Sequence, residues 1–574
     1  MKEVVRAYSY WRVVWKQFKQ HYLGMFALFI VFIFCLMGIY APFLASSKPF
    51  VVYFDGEWYF PLFRYLFYRG FFTKRLDLFY NLLIFTFPLF VIAWVVLKNN
   101  HYWRKLAIIF ILIAQSLLFV FFAFRPQQDP ATNSLLNQER QNKLQMTLVL
   151  EKKYPLFATP HLPNWQSELD FLSPYAKLNM VLRYQHRKEQ MEHLKPYDKA
   201  YMDGRIEQGL SKVHMPILWY LDEKHIEEQL ALQNEIMITN QQDYDKLKPF
   251  VNGITSYCQD NTKIDKTFPA WLKCDFLNFL PKNVLNEILN AKQSVSTYEI
   301  AQAQYNYLKQ KEMWLEQQSG KLKFQVMPLL RPFHWEDDAG GSQELNQYLP
   351  WWELTRINRK DLVSALIFGV RISLSVGLTA VGLALLIGIP IGAVSGYYGG
   401  KIDIATYRLI EIWESMPTFF MLLMVVAFLQ SKSIFIVISV IGLFGWTNFS
   451  RFVRGEFFRQ KQLPYVEACR ALGFNDSYIM FSHLLPNAIP PLLTLVPFAI
   501  LGAITSEAGL SFLGLGEEGS CSWGVLMDEG RSAFPAESYL LWPPAILLTI
   551  FLVSIALVGD SLRDALDPKL HKQL

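Results

Sequence analysis

Eight long apolar runs constrain the fold of this chain more than any other feature of its sequence. Most are close to the about 20 residues that a helix needs to cross about 30 Å of hydrocarbon. Because lipid offers the backbone no hydrogen-bond partner, each run is predicted to cross as a helix. The runs lie at 23–45, 78–97, 106–124, 373–396, 407–429, 433–448, 489–514 and 539–559. The sequence therefore predicts an all-α polytopic membrane protein.

The composition agrees with this prediction. Hydrophobic residues make up 52% of the chain and charged residues 18%, whereas soluble domains average about 45–50% and about 25%. The sequence has no basic block with interleaved aromatic residues of the kind that binds nucleic acid. The expected surroundings of the chain are a lipid bilayer.

Basic residues indicate how the chain is oriented. Positively charged residues that flank spans favour the cytoplasmic side, and they are concentrated at Lys2, Arg6, Arg12, Lys16 and Lys19 and again at Arg451, Arg454, Arg459 and Lys461. Residues 1–22 are therefore predicted to form a cytoplasmic interfacial helix, with both termini in the cytoplasm. The first apolar run is longer than the about 7–15 residues of a signal peptide, which predicts an uncleaved span in the inner membrane.

The runs at 78–97 and 106–124 are predicted to form a transmembrane hairpin. Their connector ends in Arg104-Lys105, which favours a cytoplasmic turn. Basic residues just before the hairpin, such as Arg64 and Arg69, would then lie outside, against the same rule. The aromatic segment 46–77, punctuated by Gly and Pro, is predicted to form short strands and turns on the outer membrane surface.

Residues 125–355 are mixed and polar. Segments such as 183–212 and 286–318 have helical periodicity, and unstructured loops longer than about 12–15 residues are uncommon. A mostly helical extracytoplasmic domain is therefore predicted. Cys258 and Cys274 lie within it and could form a disulfide in an oxidising compartment, but two unpaired thiols fit the sequence equally well.

The sequence carries no recognisable catalytic motif. There is no GxxxxGK[ST] loop for ATP, no HExxH and no GxSxG. The five cysteines have no metal-ligand spacing, and the acidic cluster Glu336-Asp337-Asp338 is typical of solvated surface. We therefore expect no catalytic residue, no metal and no cofactor on this chain, and we expect that it is not an enzyme.

A stretch with a polar, helix-prone start, residues 465–492, lies between the apolar runs. Pro464 favours a helix start and Gly473 a helix end, while Glu467 lies where it meets the helix dipole favourably. An ordinary connecting helix would explain these features. Small residues followed by a sharp turn would also let the helix fit closely into a groove of another protein.

This element resembles the EAA loop of ABC importer permeases. The resemblance is carried by Glu467-Ala468-Cys469-Arg470, by Gly473 and by His483-Leu484-Leu485-Pro486-Asn487. Cys469 stands where that family has its second Ala. The resemblance implies that the loop docks into a cleft of a cytoplasmic ATPase and transmits its motion.

Further blocks, in the same order along the chain, are similar to permeases of the OppC/DppC type. The Tyr53–Phe63 stretch is similar to the YejE-like branch. The family's first block begins with Gly-Thr-Asp, and this chain has Leu354-Thr355-Arg356 in that place. The matching residues are Gly369, Arg371, Ser373 and Gly377, then Glu507, Gly509 and Gly514, and finally Gly559, Asp560, Asp567 and Pro568.

The resemblance implies a type I importer permease core of six spans, to which this chain adds the hairpin and the extracytoplasmic domain. It implies transport of dipeptides or oligopeptides together with an OppB-type permease, two cytoplasmic ATPases that bind ATP and Mg²⁺, and an extracytoplasmic peptide-binding protein. Nickel complexes or peptide antibiotics are alternative substrates. An ion-coupled carrier and a membrane-anchored receptor are alternatives of other classes. The expected divisions are 1–45, 46–77, 78–124, 125–355 and 356–574.

Glycines recur along the fourth apolar run, at 377, 382, 388, 392 and 396. Small residues allow close helix packing in lipid. In the family that this chain resembles, the same residues would line a translocation path. The sequence leaves both interpretations open.

Overall fold

The computed structural model describes residues 10–46, 48–68, 75–98, 100–125, 127, 134–153, 160–192, 217–263, 281–330, 362–415, 417–429, 433–517, 520–532 and 541–566.

The first half of the chain combines helices with three short strands. The helices are α1 (Tyr10–Phe18), α2 (Tyr22–Ile39), α3 (Ala41–Leu44), α4 (Pro61–Tyr65), α5 (Arg75–Val96), α6 (His101–Phe124), α7 (Ser134–Lys153), α8 (Trp165–Leu169), α9 (Pro174–Glu192), α10 (Ile217–Lys263) and α11 (Lys282–Ser319). The strands are β1 (Val51–Phe54), β2 (Glu57–Tyr59) and β3 (Leu322–Val326).

The second half is helical throughout the part that the structure describes. Its helices are α12 (Leu362–Tyr398), α13 (Gly400–Glu414), α14 (Thr418–Leu429), α15 (Ile434–Lys461), α16 (Pro464–Ala471), α17 (Asp476–Tyr478), α18 (Leu485–Leu493), α19 (Val496–Leu510), α20 (Trp523–Ser532) and α21 (Trp542–Leu566). Two π-helical segments, Ile479–Leu484 and Ser511–Leu515, lie between them.

Within the described residues, 7 helices are long and apolar enough to span a membrane, or up to 8 if α13 and α14 together form one span. This confirms the prediction of a helical polytopic protein. The predicted span over 407–429 is bent by 72° between α13 and α14, so the two helices form either a broken span or a re-entrant loop. The break falls at Pro417, where a proline lacks an N–H and clashes with the preceding turn.

The predicted span 489–514 is also interrupted. Helix α18 ends at Leu493 and α19 begins at Val496, and the end of the run is π-helical from Ser511. Prolines at 490, 491 and 497 remove backbone donors around this break. The apolar run therefore contains a short helix followed by a longer one.

Helices α12 and α15 have the most extensive contact of any helix pair in the part of the chain that the structure describes. Gly388, Gly392 and Gly396 lie on successive turns of α12 and face α15. An added Cβ would lie 2.6 Å from a carbonyl oxygen of α15 at Gly388 and 2.7 Å from one at Gly396. At Gly392 it would overlap the carbonyl of Ser450. These three glycines are packing residues, because they let two backbones approach in lipid without a clash.

The other two recurring glycines of α12, Gly377 and Gly382, have different surroundings. An added Cβ at Gly377 would lie 2.8 Å from Ile500 of α19, so this glycine also serves packing. At Gly382 an added Cβ would meet no atom within 4 Å. The structure therefore favours the packing interpretation at four of the five positions.

A three-stranded antiparallel sheet connects two distant parts of the sequence. Its order is β2-β1-β3, with Val52 opposite Tyr59 on one side and opposite Gln325 on the other. Residues Val52 and Phe54 pack into one core with Leu178 of α9 and Leu315 of α11. The segment after the first span forms the expected strands, and they share a core with the helices that precede β3.

Replacing Gly392 by Leu is expected to destabilise the chain by about 1–3 kcal/mol, because the larger side chain pushes α12 away from Ser450. Gly382→Leu is the matched control, since it makes the same change on the same helix where the space is open. Thermal unfolding in detergent measures the difference. Equal unfolding temperatures for the two variants would contradict close packing of α12 on α15.

Candidate functional site

The polar element between α15 and α18 folds as a short helix with a sharp end. Pro464 is the first residue of α16, and its missing N–H costs nothing there. At the other end the N–H of Gly473 donates to Arg470 O at 2.9 Å, and that of Phe474 donates to Cys469 O at 3.1 Å. Gly473 has a φ of 76°, which favours glycine. Together these bonds form a Schellman motif, so the predicted helix end is confirmed.

Helix α16 has one buried and one exposed side. Val466 and Cys469 pack into the cluster that contains Val453 and Phe457 of α15. Glu467, Ala468, Arg470 and Gly473 are exposed, as are Leu472 and Phe474 just beyond the helix. We call Glu467, Ala468, Leu472, Gly473 and Phe474 the loop surface. Its exposure together with the buried opposite side makes it suitable for contact with another protein.

The second half of the element supports the loop surface. Leu485 is half-buried and Pro486 is exposed, whereas Leu484 just before them is fully buried. The rings of Phe474, Tyr478 and His483 lie 5.3–6.1 Å from one another. This aromatic contact holds the exposed turn against the helical segment that follows it.

Tyr397, near the end of α12, connects this element to the span helices. Its hydroxyl donates to Asp476 at 2.5 Å, and the guanidinium of Arg470 lies 5.3 Å from its ring centre. Its carbonyl accepts a hydrogen bond from Lys461 at the end of α15. Arg470, one of the residues that carry the resemblance to the EAA loop, is therefore engaged partly within its own chain. No local sequence signal marks Tyr397, because its hydrogen-bond partners lie 64 and 79 residues away.

An ion pair fixes the turn between α12 and α13 against α15. Arg454 donates to both carboxylate oxygens of Asp403, and Ser395 donates to the same carboxylate at 2.7 Å. The Arg454 guanidinium also lies over the rings of Tyr407 and Phe458. The ends of α12 and α15 and the start of α13 are thus held together directly beside the loop element.

Arg371, one of the predicted family-block residues, is fully buried. It donates to the carbonyl oxygens of Gly38 and Ile39 at 2.7 and 3.2 Å, where α2 ends. It also donates to Asp77 and Asn81 of α5, each at 3.0 Å. One side chain therefore connects the first span, the hairpin and α12, and the hairpin supplies its counter-charge.

Glu507 is also buried, at the end of α19. Ser511 and Ser522 donate to its Oε1 at 2.7 and 2.6 Å. Gly514 follows with a φ of 79°, and the chain turns there towards α20. Glu507 therefore fixes the turn between α19 and α20 rather than facing an open site.

The remaining family-block residues have various roles. Ser373 is buried, and Gly369 packs against Trp523 and the carbonyl of Cys521. A Cβ added at Gly509 would lie 3.6 Å from the ring of Phe419. Gly559 packs against Pro497 and Phe498. Asp560 is exposed. These residues do not form one site.

Some predicted residues cannot be compared with the structure. Asp567 and Pro568 lie outside the described residues, and so does Cys274. Cys258 belongs to α10, but its side chain is not described. The disulfide between Cys258 and Cys274 stays a prediction.

Two family models match the chain. Residues 388–572 match a model described as "Binding-protein-dependent transport system inner membrane component". Residues 9–61 match one described as "N-terminal TM domain of oligopeptide transport permease C". The hairpin and the long helices α10 and α11 lie between the two matches.

Curated relatives extend these matches. The oligopeptide transport system permease protein OppC of Haemophilus influenzae is 36% identical over 248 residues, which are 42% of this chain and 79% of the relative. The chain belongs to the OppC-type family of ABC permeases. OppC of Bacillus subtilis is 34% identical to this permease over 43% of the chain and 82% of the relative.

Two YejE relatives are matched over less of their length. The peptidoglycan transport system permease protein YejE of Agrobacterium fabrum is 39% identical over 38% of this permease and 57% of the relative. The permease spans 63% of YejE of Escherichia coli. Among solved structures, an inward-facing MetNI methionine ABC transporter covers 35% of this permease and 96% of its own chain, at 19% identity and a TM-score of 0.30.

Family membership confirms the resemblance to OppC, DppC and YejE permeases. It also supports the prediction that this permease is a membrane component and not itself an enzyme. It assigns no role to individual residues of the loop surface.

Replacing Asp77 by Ala is expected to destabilise the permease by roughly 3–5 kcal/mol, because Arg371 would keep its charge in a buried position without a counter-charge. Asp528→Ala is the control, since it removes a more exposed ion pair with Arg531, typically worth about 0–1 kcal/mol. Thermal unfolding in detergent compares the two. Equal effects would show that the hairpin does not stabilise Arg371.

Replacing Tyr397 by Phe is expected to loosen residues 474–484 while leaving the ring contact with Arg470 in place. Losing a hydrogen bond to a carboxylate costs about 1.5 kcal/mol, which corresponds to about tenfold faster hydrogen exchange in that segment. Tyr398→Phe, at the exposed neighbouring position, is the control. Unchanged exchange in Tyr397→Phe would mean that Asp476 does not depend on this bond.

Proposed function

We propose that this permease is half of the membrane pore of an ATP-driven importer of short peptides. The observation that carries the proposal is the loop surface on α16. One side of this helix is fixed to α15 through Val466 and Cys469, and the other side is exposed. A helix held in this way transmits a push on its exposed side to the span helices.

The substrate class rests on the relatives. Their names include oligopeptide, dipeptide and glutathione transport permeases, at 31–36% identity. Dipeptides, oligopeptides and glutathione are all short peptides with charged ends. We infer a substrate of the same chemistry for this permease.

The partners in this proposal are a second, OppB-type permease, two cytoplasmic ATPases and an extracytoplasmic peptide-binding protein. The family description as a binding-protein-dependent component supports the last of these. ATP and Mg²⁺ bind to the ATPases. When the ATPases close, displacement of the loop surface reaches α12 through Tyr397 and α15 through Lys461.

We further propose an inner-membrane protein with both termini in the cytoplasm and with the loop surface on the cytoplasmic side. The divisions are the first span and its preceding helix (1–45), an outer segment (46–77), the hairpin (78–124), an extracytoplasmic domain (125–355) and the permease core (356–574). The core shared by β1, α9 and α11 supports placing the outer segment and the domain together.

Gly473→Asp is expected to abolish peptide uptake and ATPase co-purification without affecting membrane insertion. An added Cβ at Gly473 meets no atom of this chain within 4 Å, so the new side chain projects into the space that a docked ATPase would occupy. Uptake into proteoliposomes and co-purification of the ATPases measure the effect. Glu467→Arg, which reverses a charge on the loop surface, is expected to act in the same direction.

Gly56→Asp is the matched control for Gly473→Asp. Gly56 also has a positive φ, of 88°, and an added Cβ there likewise meets no atom within 4 Å, but it lies in the β1–β2 turn. The backbone strain and the added charge are therefore comparable. Normal uptake in Gly473→Asp with the ATPases still bound would overturn the docking proposal.

A further inference from the structure

A cavity of about 680 Å³ lies between α12, α14, α15 and α19. Its volume is in the range of sites that hold small ligands, about 300–1,000 Å³. Small residues form much of its wall, namely Ala380, Ala384, Gly445, Ala499, Gly502 and Ala503. Larger apolar side chains, including Phe444, Phe452 and Phe498, form the rest of its apolar wall.

The glycines here differ from those between α12 and α15. An added Cβ at Gly392 would overlap α15, whereas one at Gly502 would meet no atom within 4 Å. Gly502 thus leaves space open instead of allowing close packing. A larger side chain at this position would enter the cavity without displacing a helix.

One edge of the cavity is polar and charged. Thr447, Asn448 and Arg451 lie on adjacent turns of α15, and Glu414 reaches the same edge from the end of α13. Arg451 Nη2 donates to Glu414 Oε2. The two side chains are 47% and 33% exposed, so the ion pair remains accessible.

The position of this pair has a chemical consequence. Arg451 begins the basic run of α15 that favours the cytoplasmic side, so the pair lies where the cavity approaches that side of the membrane. A guanidinium has five N–H donors in a planar fork that matches a carboxylate. Among the described contacts Arg451 donates to Glu414 through Nη2, so its other N–H groups can bind a second carboxylate.

We propose that this cavity is a substrate subsite in which Arg451 binds the free C-terminal carboxylate of a peptide in transit, using N–H groups that do not contact Glu414. Asn448 and Thr447 lie beside it, where they can bond the peptide backbone, and the small residues leave room for the side chains of the peptide. The inference rests on the proposed function, since it requires that peptides pass through this permease.

The test uses the full importer in proteoliposomes, with a tripeptide and its C-terminal amide. Each peptide is loaded on the binding protein to saturation, so that selection by that protein does not enter the comparison. The wild type is expected to import the free acid at least about tenfold better than the amide, as expected for a hydrogen-bonded charged contact. Arg451→Gln is expected to remove this preference, and Arg451→Lys to retain part of it.

A second pair of variants tests the cavity itself. Gly502→Leu fills it and is expected to lower uptake of the tripeptide at least about tenfold. Gly253→Leu makes the same change on α10, where an added Cβ meets no atom within 4 Å and which lies outside the cavity lining, and it is expected to leave uptake unchanged. Thermal unfolding of both variants checks that each folds.

The outcomes separate the two proposals. If the wild type imports the free acid but Arg451→Gln keeps the full preference, the subsite is wrong and the importer stands. Equal uptake by Gly502→Leu and Gly253→Leu would likewise exclude the cavity from the substrate path. A wild type that imports neither peptide overturns both proposals.

Discussion

The close contact between α12 and α15 is the constraint on which the rest of the core depends. Lipid provides no hydrophobic driving force between helices, so backbones must approach closely to gain packing energy. Gly388, Gly392 and Gly396 allow this by facing Trp446, Ser450 and Arg454 across the pair. With the two helices fixed side by side, their ends arrive together, and these ends carry Tyr397 and Lys461. The loop element thus stands on a rigid base.

That base explains how a surface helix of 8 residues keeps a defined position. Isolated helices of this length are not stable in water. Helix α16 is held by Val466 and Cys469 inside the core and by the Schellman motif at Gly473. Tyr397 also contacts Arg470 of this helix and Asp476, which follows it in the chain. Its exposed side is therefore pre-positioned, and a partner would not have to order it.

The sequence predicted elements well and long-range contacts poorly. Runs of about 20 apolar residues identified most spans, and Pro464 and Gly473 marked the ends of α16, because these signals are local. Pro417 is also a local signal, but the apolar character around it concealed the break between α13 and α14. The pairs Arg371–Asp77 and Tyr397–Asp476 join residues 294 and 79 positions apart. Hydrophobic periodicity is a local signal and does not predict contacts between residues so distant in sequence. The cavity beside Gly502 was equally hidden, since a glycine that packs and one that leaves space look identical in sequence.

The pairing of β1 with β3 has a consequence for how the core accommodates the long segment between them. The two strands are separated by more than 260 residues but lie side by side. The chain therefore leaves the membrane core and returns to it at nearly the same point. A segment whose ends meet can differ in length without pulling the core apart, because the distance it must bridge does not change. The core nevertheless depends on this segment, since Arg371 finds its counter-charge there on Asp77. The segment is therefore a structural requirement of the helices around it as well as an addition to them.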